Sequence, residues 1–144
     1  MPIHANQKLL LLVTALVEAA TGLCLLVLPT VLLAILLGIE QATVDASFVA
    51  RIAGAALLAI GIASWMARND TRTPAQLGLL TGVLVYNAVA TILLAYAGAF
   101  LKMTGILLWP TVALHAVLAV WCFSCLHLDR LPGISVVIGN GRRT

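Results

Sequence analysis

Four long apolar runs constrain this chain more than anything else in it. They cover roughly Leu9–Leu28, Val44–Ala67, Pro74–Phe100 and Thr104–Leu126. Each reaches the ~20 residues that a helix needs to cross a hydrocarbon layer about 30 Å thick. Only 9% of the residues are charged and 62% are hydrophobic, whereas a soluble domain carries about a quarter charged residues. The expected fold is therefore all-α: an integral membrane antiparallel four-helix bundle forming one domain over residues 1–144. The loops and tail are too short to hold a soluble catalytic module.

The basic residues predict an orientation. Lys8 precedes the first run, Arg68 and Arg72 lie between the second and third, and Arg130, Arg142 and Arg143 follow the fourth. The other two loops hold Glu40 and Asp45 against Lys102. The positive-inside rule then puts both termini in the cytoplasm, with the protein multi-pass in the cell's inner membrane. The net charge of +3 suits anionic headgroups and gives no reason to expect nucleic acid as a partner. Lys8 and Leu9–Leu12 resemble the start of a secretory signal, but the apolar run continues to Leu28, so a retained first span is expected.

Pro29 cannot easily continue a helix and is expected to end the first span. Thr30–Gly38 is too short to cross and predicts a short interfacial or re-entrant helix closed by Gly38. Asn69–Pro74 reads as a turn, with Pro74 opening the third span. After Asp129 the tail holds Pro132-Gly133 and a β-like run, Ile134–Ile138.

Small residues four apart let helices approach closely in lipid. Gly78 and Gly82 begin such a stripe on the third span, continued by Tyr86 and Ala90. Ala55, Ala59 and Ala63 form another on the second. Both are expected to pack inside the bundle, or else against another subunit.

Each span carries a polar residue near its middle: Glu18, Arg51, Asn87 and His115. At 1.5 Å per residue, Glu18, Asn87 and His115 fall near the midplane and Arg51 is ~9 Å from the outer end of its span. Polar groups at such depth face the interior and find partners. Glu18 and Arg51 are the natural ion pair, their depths differing by about 6 Å. The pair either fixes registry or belongs to a ligand or proton site. Thr14 shares a face with Glu18, and Thr111 with His115. With Tyr86, these residues are expected to line a polar cavity; Trp65, Trp109 and Trp121, towards the span ends, are expected as interfacial anchors, with Trp109 beside Pro110 as the alternative wall of that cavity. It would cradle a lipid or quinone headgroup, or relay protons.

Cys122 and Cys125 form a CxxC followed by His127. The CxxC resembles the membrane thiol motif of the vitamin K epoxide reductase family. The loop-borne second cysteine pair that this resemblance implies is missing, and only Cys24 remains. As a metal site, Cys122, Cys125 and His127 lack a fourth ligand. Two small apolar cysteines in a helix is the plainer reading. No phosphate loop, zinc-protease motif or nucleophile elbow occurs.

Arg51, Gly54, Leu58 and Gly61 follow an R-x-x-G…L-x-x-G pattern that resembles the DoxX-like and related small four-helix bacterial membrane families. Pro29, Asn87, Trp109-Pro110 and His115 are similar to positions in uncharacterised proteins of that type. The resemblance implies a four-span bundle and, for some members, association with quinone-linked redox complexes. No catalytic residue is expected. The leading functional expectation is an accessory subunit of a larger membrane complex, or a homo-oligomer, with a polar layer that holds a lipid or quinone. The rival expectation is a proton-coupled transporter of a small hydrophobic or cationic solute, using Glu18. Small multidrug exporters also carry a first-span Glu in a chain of comparable size, but their other motifs are missing here.

Overall fold

A computed structural model describes residues 3–70 and 73–128. It contains five helices: α1 (Ile3–Val27), α2 (Pro29–Leu37), α3 (Val44–Ala67), α4 (Pro74–Ala99) and α5 (Leu108–Leu128). Four of them are long and apolar enough to cross a membrane. Large apolar side chains lie exposed along these helices, among them Phe48, Ile92 and Val120. Soluble monomers rarely show apolar surface so continuously. The run Ile134–Ile138 and the tail cations lie outside the described residues.

Local chemistry sets the helix ends. Pro29 opens α2, and Gly38 closes it with φ 75° while its N–H donates to Ala34 O at 2.9 Å. Glycine adopts this left-handed conformation without the penalty a Cβ brings. Thr43 and Thr73 cap α3 and α4, their hydroxyls accepting from Ala46 N (3.2 Å) and Gln76 N (3.1 Å). Each such cap satisfies an otherwise orphaned N–H. The apolar pattern of the fourth run starts at Thr104, but α5 begins at Leu108. The reason is α2. Gly105 presses against the backbone of Leu36, and Leu107 N–H donates to Ile35 O at 3.1 Å. These contacts dock the segment before α5 on the short helix and delay the start of α5.

The helices pack as two antiparallel pairs, α1 with α3 and α4 with α5, and the pairs touch each other far less. In the first pair the backbones nearly meet. A Cβ on Gly22 would lie 2.6 Å from Gly54 O, and one on Gly61 would lie 2.8 Å from Ala19 N. This seam is Gly54, Gly61 and Ser64 against Ala15, Ala19 and Gly22. The stripes expected to pack are elsewhere. Ala55, Ala59 and Ala63 lie off the buried face of α3, and a Cβ added to Gly78 or Gly82 would meet nothing within 4 Å.

The two ends of the molecule differ. Near the α3–α4 turn, Leu10, Leu11, Leu80, Val83, Leu118, Cys122 and Cys125 form a closed core. Gln76 Nε2 ties the turn by donating to Asp70 O at 2.8 Å. Towards α2 the helix pairs stand apart and a cavity opens between them.

Candidate functional site

The cavity measures about 350 Å³, within the ~300–1,000 Å³ range of small-molecule sites. Leucines make most of its wall, supplied by all five helices and the segment before α5. Leu32 and Leu36 of α2 roof it, Leu57 of α3 and Leu94 of α4 flank it, and the exposed Leu93 and Leu107 lie at its rim. Its polar groups are Glu18 and Thr21 from α1, Tyr86 from α4, and Thr111 and His115 from α5.

The polar floor is built by linked contacts. Asn87 Nδ2 donates to Val83 O at 2.8 Å, which leaves Asn87 Oδ1 as an acceptor. His115 Nδ1 lies 2.7 Å from that oxygen and must therefore carry the proton. Nε2 is then the ring's remaining polar atom, on a side chain that lines the cavity. The Tyr86 ring meets His115 edge-on, with centroids 5.5 Å apart at 85°. Tyr86 of α4 and Glu18 of α1 line the same cavity from the two helix pairs. Glu18 is only 1% exposed, and its Oε1 has no partner among the described residues.

Glu18 does not pair with Arg51. The Gly22–Gly54 and Ala19–Gly61 approaches set the antiparallel register and place Glu18 level with about Ile60. Arg51 lies about nine residues before that level on α3, ~14 Å away in height. It is also exposed, one position off the buried Ala50–Gly54 face. The expected ion pair fails because packing by glycine, rather than depth along each span, sets the register.

Glu18, Tyr86, Thr111 and His115 thus meet at one cavity, with Asn87 behind them. Thr14 is fully buried but lies one turn below the cavity. Among the described residues its Oγ1 has no partner, and neither does Ser64 Oγ on α3. Trp109 is 56% exposed and packs on Gly98 of α4 rather than walling the cavity. Cys122 and Cys125 belong to the core, and the exposed His127 is stacked on Phe123. Among the described residues no three His, Cys, Asp or Glu side chains cluster as a metal site would require. The leucine roof from α2 is a feature that the sequence does not announce; a nine-residue apolar helix gives no sign of which cavity it covers.

No protein-family model matches the chain, and neither a curated protein nor a solved structure matches it.

Proposed function

We propose that this protein is a membrane-embedded four-helix bundle that binds one lipophilic molecule with a compact polar end, the build that membrane lipids and quinones share. The tail of the ligand lies among the leucines, and its compact polar end reaches Glu18, Tyr86 and His115. The observation behind this reading is a cavity of about 350 Å³ whose walls are apolar and whose polar groups converge on one end. Charged and hydrogen-bonding groups are costly in lipid and concentrate where something is bound or moved. The basic residues favour cytoplasmic termini. The open face of α4 at Gly78 and Gly82 leaves room for a second copy or a larger complex to pack, consistent with an accessory role.

Native mass spectrometry of protein released from mild detergent tests this directly. The wild type is expected to carry a lipophilic molecule at one-to-one stoichiometry. Ala90→Trp, which fills the cavity from α4, should lose it while keeping the helical circular dichroism spectrum. Equal retention by both proteins would count against the cavity as the binding site.

A further inference from the structure

The surroundings of Glu18 determine which polar end the cavity prefers. Glu18 shares the cavity lining with Tyr86 of α4 and with His115 of α5, whose Nδ1 proton is engaged by Asn87. Leu57 of α3 and Leu32 and Leu36 of α2 add no polar group. Among the described residues no lysine or arginine lines the cavity, and Arg51 is exposed and distant in height. Oε1 is buried without a partner among the described residues, on a side chain that lines the cavity.

A buried carboxylate without a counter-charge is unfavourable. Two species can relieve it: a proton on the carboxyl, or a cation beside it. A phosphate end would meet only repulsion from the carboxylate. A quinone carbonyl is itself an acceptor and finds a donor at Glu18 only while the acid keeps its proton. An ammonium group satisfies the carboxylate, and Tyr86, an aromatic residue of the kind that attracts cations, lines the same cavity.

Building on the pocket reading, we propose that the cavity selects a lipophilic cation of the amine or quaternary-ammonium class, which displaces the proton of Glu18. The acid O–H bond breaks, the proton leaves to water, and a carboxylate–ammonium pair remains. The net charge of the filled site is the same as that of the empty, protonated one, so no uncompensated charge stays buried.

Three probes sharing a decyl tail separate the possibilities: decyltrimethylammonium, 2-decyl-1,4-benzoquinone and decyl phosphate. Their binding is measured by calorimetry on the full chain in nanodiscs, with empty nanodiscs subtracted and buffers of differing ionisation enthalpy used to count protons. The ammonium probe is expected to bind tighter than the other two by about tenfold or more. It should release about one proton per molecule bound, so its affinity should rise by about tenfold per pH unit while Glu18 holds its proton. Glu18→Gln should abolish both the cation preference and the proton release, while quinone affinity stays within roughly threefold. If that variant does not fold, proton release and pH slope in the wild type still decide the matter. Equal binding of ammonium and quinone, or binding without proton release, would overturn the cation assignment and leave the pocket standing. Failure of all three probes to bind would overturn both.

Discussion

His115 Nδ1 sits 2.7 Å from Asn87 Oδ1, a contact that joins α5 to α4 and fixes which ring nitrogen carries the proton. Asn87 can only accept there, because its amide nitrogen is already committed to Val83 O. The asparagine therefore acts as a positioning residue, holding the histidine for whatever occupies the cavity. Asn87→Leu keeps the volume and removes the acceptor. Leaving His115 Nδ1 buried without a partner should cost about 1–3 kcal/mol. Thermal unfolding in detergent measures that loss. Nitrogen chemical shifts of the labelled histidine should also change from a single Nδ1-protonated form to a mixture of tautomers. An unchanged spectrum would mean that Asn87 does not orient the ring.

The α1–α3 seam should be far less tolerant than the α4 face. Gly22→Ala puts a methyl group 2.6 Å from backbone atoms of α3, which cannot swing aside as a side chain would. A loss of about 1–3 kcal/mol or more is expected, as for other overpacked cores. Gly78→Ala and Gly82→Ala meet nothing within 4 Å. They should be neutral, or stabilise by up to about 1 kcal/mol through better helix propensity. Unfolding of the three variants in one detergent ranks them, and a tolerated Gly22→Ala would contradict the close approach.

Arg51 and Glu18 should behave as independent residues. They are separated by ~14 Å in height, and Arg51 is exposed. A double-mutant cycle with Glu18→Gln and Arg51→Gln should therefore give a coupling energy below about 0.5 kcal/mol. A true buried pair would show a single-mutant loss of about 3–5 kcal/mol, partly recovered in the double variant. Recovery of that kind would restore the ion pair and remove the counter-charge argument for the cavity.

Much of the site is legible in the sequence because polar residues inside the long apolar runs are so few. A lone Glu18, Asn87 and His115 in such runs have to face inward, and Tyr86 lies beside Asn87 on the same helix. Azimuth and register are not legible in the same way. Arg51 differs from Ala50 by a single position, yet about 100° of rotation takes it off the buried face. The height of α3 against α1 depends on where Gly22, Gly54 and Gly61 nest, which no count along a single span reveals. The apolar stretch Thr30–Gly38 can be recognised as a short helix. Its place over the cavity depends on Gly105 and Leu107, more than 60 residues away in sequence.

Photocrosslinking tests the account most directly. A diazirine-bearing residue at Leu94 faces the cavity, and the same residue at Ile92, 65% exposed, faces outward. In native membranes, position 94 should yield one dominant, saturable lipophilic adduct that decyltrimethylammonium competes away. Position 92 should yield a mixture reflecting the bulk lipids, insensitive to competitor. Identical adducts at the two positions, neither of them competed, would show that the space between the helix pairs holds ordinary lipid and selects nothing.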